Sequence, residues 1–208
     1  MAYFPMFIDI KGQSCLIVGG GRVALRKVRV LQDFGARVTV AAPDILAEIE
    51  GAEGVICLRR EYDENLLAGM GLVVAATDDA EKNRMISRHC MERKIPVNAV
   101  DQIEDCSFIF PSYVRRGELV AAFSSGGKSP LMTQYLKAKI EPEMTEFTAE
   151  LTDYLGSIRD EVKAQVETEA LRKKVYQQIL AFAMEHGKMP EDHQLAEMIK
   201  TVSVQRFN

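Results

Sequence analysis

The sequence predicts an α/β chain: a parallel-sheet domain with helices on both faces, then a small β segment, then an α-helical C-terminal domain. Three observations carry this reading. Through the first hundred residues, short apolar runs alternate with stretches of helical periodicity, the pattern of a parallel sheet covered on both sides. Near Asp101 that alternation stops and a hairpin pattern replaces it. Beyond Pro142, apolar residues recur only at steps of three and four.

The elements follow in order. Ser14-Cys15-Leu16-Ile17-Val18 is an apolar run that ends in glycines, the first strand. Val23, Ala24, Val28, Leu31 and Phe34 recur at helical spacing over 22–34, and Gly35 stands where a helix end takes a left-handed residue. Val38-Thr39-Val40 is the second strand, and Pro43-Asp44 is expected to open a short helix. Val55-Ile56-Cys57-Leu58 and Leu72-Val73-Val74-Ala75-Ala76 are two further strands. A long polar-periodic helix over 79–93 leads to a fifth strand, Pro96-Val97-Asn98-Ala99-Val100.

After Asp101, Ser107-Phe108-Ile109-Phe110 and Leu119-Val120-Ala121-Ala122-Phe123 read as a β-hairpin turning near Arg116-Gly117. Ser129-Pro130 starts a helix with serine as the cap and proline at the first helical position. Pro142 separates it from a helix whose stripe runs Met144, Phe147, Leu151, Tyr154, Ile158 and on to Val162 and Val166. Further helices are expected around 171–186 and 192–202. The domains read as 1–106, 107–141 and 142–208.

Composition narrows the function. The 208 residues are 47% hydrophobic and 27% charged, as in an ordinary globular protein. A net charge of −4 argues against nucleic acid as the main partner. No apolar run approaches the roughly 18 residues that span a bilayer, so no membrane partner is expected. Met1-Ala2-Tyr3-Phe4-Pro5 shows no signal-peptide pattern. Cys15, Cys57, Cys90 and Cys106 are scattered without a CxxC, which reads as reduced thiols in a cytoplasmic protein. His89, His186 and His193 form no metal-ligand spacing, so no metal site is expected. Charge is uneven: 112–140 carries five basic residues against one acid, and 141–170 carries nine acids against two bases. A basic island in an acidic chain focuses the field on an anionic ligand, or is a solvated stripe.

Gly19-Gly20-Gly21-Arg22-Val23-Ala24 fits G-x-G-x-x-A between a strand and a helix, the context of a Rossmann-type dinucleotide site. Gly19 makes the tight turn, Gly21 lets backbone approach a pyrophosphate, and Ala24 lets helix and strand pack closely. The second strand ends Val40-Ala41-Ala42 without a ribose-binding acid. Asp44 is the first acid after it, and either faces the ribose or caps its own helix. No Arg follows for a 2′-phosphate, so NAD is favoured over NADP. Thr77-Asp78-Asp79 either closes over a dinucleotide or caps the following helix.

At this point the residues carry a likeness. Phe4-Pro5-Met6-Phe7, Cys15-Leu16-Ile17-Val18-Gly19-Gly20-Gly21, Ala75-Ala76-Thr77-Asp78-Asp79, Val97-Asn98-Ala99-Val100-Asp101 and Ser124-Ser125-Gly126-Gly127-Lys128-Ser129-Pro130 occur in this order. Over about residues 3–140 the chain resembles the precorrin-2 dehydrogenase family, which occurs as the amino-terminal module of siroheme synthase and as a stand-alone enzyme. The resemblance implies NAD-dependent oxidation of precorrin-2 to sirohydrochlorin, an intertwined homodimer, and a Rossmann domain followed by a dimerisation segment and a helical domain. Some members also insert ferrous iron, so a bifunctional dehydrogenase and ferrochelatase is the alternative. Carried over by position, Arg22, Val23, Pro43 and Asp44 match NAD contacts, Asp101 matches an essential aspartate, and Ser125 matches a serine phosphorylated in the fused enzyme. Ala99 stands where valine is usual, and Arg22 where some relatives have an acid. No methyltransferase domain follows the match, so the stand-alone form is the expectation.

The residues support these assignments on their own terms. Asp101 follows the fifth strand, and ligands of open α/β sheets bind outside the carboxyl ends of strands. A carboxylate there accepts a proton as hydride leaves the substrate, orients the macrocycle, neutralises pyrrole N–H groups, or serves only the turn. Ser125 and Gly126 lie in a turn whose N–H groups suit an anion, and with Lys128, Arg115 and Arg116 they suit a substrate rich in carboxylates. The other reading of that turn is a plain helix cap. A non-catalytic NAD-sensing module predicts neither Val97–Asp101 nor Ser124–Pro130. A small-acid dehydrogenase lacks a His or Lys where catalysis needs one.

Overall fold

The computed structural model describes residues 3–204, and its contacts divide the chain into two compact units, Met1–Phe110 and Pro111–Asn208. Met1 and Ala2, part of the stretch read for a signal peptide, lie outside the described residues, as does the end of the chain after 204.

The first unit holds five parallel strands: β1 (Ser14–Val18), β2 (Arg37–Ala41), β3 (Ile56–Leu58), β4 (Leu72–Ala75) and β5 (Val97–Ala99), in the order β3-β2-β1-β4-β5. Strand β1 is the centre, pairing Val18 with Ala41 on one side and with Ala75 on the other. Successive strand residues point to opposite faces, so a continuous apolar run serves two cores. Cys15 and Ile17 join Val38, Val40 and Val74 on one face, against Ala24, Val28 and Leu31 of helix α1 (Arg22–Asp33) and Ile49 of α2 (Ala47–Glu50). Leu16 and Val18 join Val73 and Val97 on the other, against Ile86 and Cys90 of α3 (Ala80–Glu92). Each such fully buried side chain is worth about 1.5–3 kcal/mol. This is the Rossmann-type arrangement. Helix α1 stops at Gly35, whose φ of 74° lies in the left-handed region.

Two details depart from the sequence reading. Pro43-Asp44 does not open α2, which starts at Ala47, and Asp44 caps no helix. Leu46 N–H instead donates to the Gly20 carbonyl at 3.0 Å, which ties the bend at 43–44 and the residues after it to the glycine turn. Residues 107–110 do not form the first hairpin strand. Ser107 N–H donates to Val97 O at 2.9 Å, Phe108 O accepts from Asn98 Nδ2 at 3.1 Å, and both Phe108 and Phe110 pack on the core of the first unit.

In the second unit the hairpin is β6 (Ser112–Arg116) and β7 (Leu119–Phe123), antiparallel, with Arg116 opposite Leu119. Its turn is only Gly117-Glu118, with Gly117 at φ 57°, so the partner of 119–123 must be the five residues just before the turn. Helix α4 (Pro130–Ile140) packs on this hairpin, with Ser112 Oγ donating to Thr133 Oγ1 at 3.1 Å. Then come α5 (Glu146–Ser157), α6 (Arg159–Gln165), α7 (Glu169–His186) and α8 (Asp192–Val204). Val175 and Ile179 of α7 share a core with Val162, Leu195 and Ile199. No helix among the described residues is long and apolar enough to cross a membrane.

Candidate functional site

A cleft of about 580 Å³ opens at the carboxyl ends of β1, β2, β4 and β5. It lies where the strand order reverses across β1, the position at which open α/β sheets bind ligands. Its floor is the glycine turn. Gly19 has φ 122°, and a Cβ there would stand 2.2 Å from Ala76 O. Gly20 is equally confined: its Cβ would stand 2.0 Å from Asp44 O. Gly21 is different. Nothing lies within 4 Å of its Cβ position, and it heads α1 without any side-chain cap. The first backbone N–H groups of a helix have no intrahelical partner, and here they face the cleft. A confined turn with an open third glycine and an uncapped helix start fits a dinucleotide pyrophosphate.

Arg22 and Val23, in the first turn of α1, line the cleft beside the glycines. Pro43 and Asp44 form the wall after β2, and both are exposed. Thr77 lines the opposite wall after β4, and buried Asn83 grips it. Thr77 N–H and Oγ1–H both donate to Asn83 Oδ1, at 3.1 and 2.7 Å, and Asn83 Nδ2 donates back to Thr77 O at 3.1 Å. Asp79 caps α3 by accepting from the N–H groups of Glu81 and Lys82. Thr77 and Asp78 thus line the cleft, and Asp79 caps the helix.

Asp101 closes the rim. It follows β5 with φ 61°, a left-handed conformation that aspartate tolerates better than most residues. Its carboxylate is exposed and makes no hydrogen bond or ion pair among the described residues. The loop beneath it is held firmly. Gln102 is buried, and its Nε2 donates to Ala80 O at 3.0 Å. The Cys106 thiol sits 3.2 Å from both Ala99 O and Gln102 O. Gln102 Oε1 is buried without a hydrogen-bond partner among the described residues.

Three lining residues were not visible in the sequence. Glu61 and Tyr62 follow β3, and Lys82 on α3 reaches Glu61 Oε2. The Tyr62 hydroxyl meets His89 Nδ1 at 3.1 Å, and burial above all pushes its pKa up to about 12, so it remains a neutral phenol. The one available signal was position: Glu61 and Tyr62 stand just past the carboxyl end of a parallel strand. Among the described residues no group of three or more His, Cys, Asp or Glu side chains could hold a metal.

The five remaining candidates belong to the second unit. Ser125 Oγ accepts from Ser129 N–H at 2.9 Å, Gly126 has φ 62°, and Ser129 caps α4. Ser125, Gly126 and Lys128 thus share one turn. Arg115 and Arg116 do not join it. They lie at the Gly117 end of the hairpin, whereas the turn follows Phe123 at the other end. Four strand steps of about 3.4 Å put the two groups on the order of 14 Å apart. Arg115 Nε donates to Gly117 O at 2.9 Å.

Comparison with known proteins agrees with this geometry. Siroheme synthase of Thioalkalivibrio sulfidiphilus is 39% identical over 183 residues, which are 86% of this chain and 37% of that protein. Siroheme synthase of Ectopseudomonas mendocina is 41% identical over 204 residues, 95% of this chain and 44% of that protein. The chain therefore spans less than half the length of these curated relatives. Among solved structures, SirC, described as a precorrin-2 dehydrogenase, superposes with a TM-score of 0.76 at 25% identity, covering 97% of this chain and 99% of that one. Residues 6–112, with the glycine turn, the Thr77 loop and Asp101 among them, match the family described as "Putative NAD(P)-binding". With that match taking in both the fingerprint turn and the switch-point cleft, the chain belongs to this NAD(P)-binding family.

Proposed function

We propose that the chain is a precorrin-2 dehydrogenase that oxidises precorrin-2 to sirohydrochlorin with NAD. The observation that carries this is the cleft: an open Gly21, an uncapped α1 and an unpaired Asp101 carboxylate border the same space. The similarity to SirC over nearly the full length of both chains supports the substrate assignment. Gly19, Gly21, Arg22 and Val23 hold the pyrophosphate on the backbone, and Pro43, Asp44 and Thr77 bound its two sides. When bound, NAD supplies the hydride acceptor. Asp101 takes up the proton, so that two hydrogens leave the macrocycle as hydride and proton. The exposed, unpaired position of that carboxylate at a strand end suits a base. Ser125, Gly126 and Lys128 receive substrate carboxylates at the head of α4.

The working form is a homodimer. Helix α4 exposes Leu131, Met132, Tyr135 and Leu136 on the chain surface, the first of them 76% exposed, and a second copy covers this face. The four free cysteines support a reducing, cytoplasmic setting.

The test is to incubate the protein with precorrin-2, with NAD, with NADP or with neither, and follow the absorbance spectrum. NAD-dependent formation of sirohydrochlorin is expected, slower with NADP. No spectral change with either dinucleotide would overturn the assignment. Adding ferrous iron to the product then reads whether the same chain also completes siroheme.

A further inference from the structure

We propose that the second unit carries a separate binding site for an amphipathic polycarboxylate of the tetrapyrrole class, in a groove between α6 and the start of α7. The groove has a volume of about 630 Å³, within the usual range for small-molecule sites. Leu155, Tyr176 and Leu180 supply its apolar surface, and Leu180 is 46% exposed. Arg159, Lys163, Arg172 and Lys173 surround that surface, against Glu169 alone.

The charge is the informative part. Residues 141–170 hold nine acids and only two bases, and both bases, Arg159 and Lys163, line this groove. None of the four cations forms an ion pair among the described residues. Four positive charges against one carboxylate around one concavity, in a chain of net charge −4, concentrate anions there. Helix α7, 18 residues long, presents its N-terminal turn to the same groove, which adds to the positive field. Arg172 is already fixed, its Nη1 donating to Val166 O at 3.1 Å and Glu167 O at 3.0 Å. Little order is lost when it meets an anion.

The arrangement also selects the kind of anion. Arg159 and Lys163 stand one helical turn apart on α6, and Arg172 and Lys173 stand on α7. A single phosphate uses converging donors, whereas cations spread around an apolar surface match a flat hydrophobic body with several separated carboxylates. Substrate and product of the proposed reaction are of that class, and in this respect the inference rests on the proposed function. The groove, which shares no lining residue with the cleft, then holds a second macrocycle as a waiting or release position.

Uroporphyrin, an octacarboxylate porphyrin that needs no oxidation, is the probe. Hydrogen exchange of the full chain with uroporphyrin should show protection of amides in 159–176. In the Lys163→Glu, Lys173→Glu double variant, both side chains being exposed, that protection should vanish and affinity there fall at least about tenfold. Dehydrogenation at saturating precorrin-2 should be unchanged. Unprotected amides in 159–176 of the unaltered chain, or full protection in the variant, would overturn the site. Equal displacement by millimolar inorganic phosphate would make it a single-anion site and overturn the class. A chain that fails to oxidise precorrin-2 yet shows the protection keeps the groove and loses the dehydrogenase. One that oxidises precorrin-2 without protection there does the reverse.

Discussion

Asn83 and Thr77 are joined by three hydrogen bonds, two accepted by the Asn83 side-chain oxygen and one donated by its amide to the Thr77 carbonyl. Asn83 is 3% exposed, so a residue inside helix α3 sets the backbone of a cleft wall. Its replacement by leucine keeps the volume and removes every bond. The half-buried Thr77 N–H and carbonyl lose their partner while the hydroxyl keeps Asp79, so the change should cost about 1–3 kcal/mol of stability. KM for NAD should rise several-fold more than kcat falls, as thermal unfolding and steady-state kinetics would read. An Asn83→Leu protein with wild-type KM would detach this clamp from cofactor binding.

The glycines should separate fold from ligand. Gly20→Ala drives a methyl into the Asp44 carbonyl, so it should lower the melting temperature and disturb the wall after β2. At Gly21→Asp the new Cβ meets no protein atom, so the variant should fold normally while NAD binding weakens by at least about 2 kcal/mol through charge repulsion in the cleft. Calorimetry of both variants, with NAD titrated into each, checks the contrast.

For Asp101, the expectation is a loss of turnover of about 10²–10⁴ in both Asp101→Ala and Asp101→Asn, with NAD affinity unchanged. The asparagine tolerates the left-handed backbone, so it should keep the stability that alanine gives up. Asparagine with near-normal turnover would make Asp101 a group that orients rather than accepts a proton.

Lys27 offers a pH dependence with a definite sign. Its ammonium lies 3.7 Å from the Phe110 ring centroid, and burial, helped by neighbouring Arg26, lowers its pKa from 10.5 to about 8. From about pH 8 to 10.5 the folded chain has released this proton while the unfolded chain still holds it. Stability from this group therefore rises with pH across that window. The side chain is partly solvated, so the rise should be on the order of 1 kcal/mol. Lys27→Met should lack it when denaturant midpoints are compared at both ends of the window.

The glycine turn and the Asp101 rim of the cleft were legible because their signals are local. A glycine turn between an apolar run and a helix declares itself within ten residues, and Asp101 stands beside its own strand. Gly20 was not legible, since what confines it is the Asp44 carbonyl, 24 positions away in the chain. Tyr62 and Lys82 were missed for the same reason: they come to line the cleft only once β3 and α3 are docked. The hairpin register failed differently. Ser107–Phe110 has the composition of a strand, and extended apolar chain looks alike whether it pairs with a neighbour or lies against a core. Only the two-residue turn at Gly117 decides between them.

Helices α3, α4, α5 and α7 each begin on a side-chain oxygen of their own, from Asp79, Ser129, Thr145 and Thr168. Helix α1 begins on a glycine and has none. Under the proposed function its cap comes from outside the chain, from the pyrophosphate oxygens. The fold and the cofactor supply thereby become one equilibrium: at a hundredfold excess over Kd, bound dinucleotide adds about 2.7 kcal/mol to stability. In a cell starved of dinucleotide, the front of α1 is where this protein would first fray.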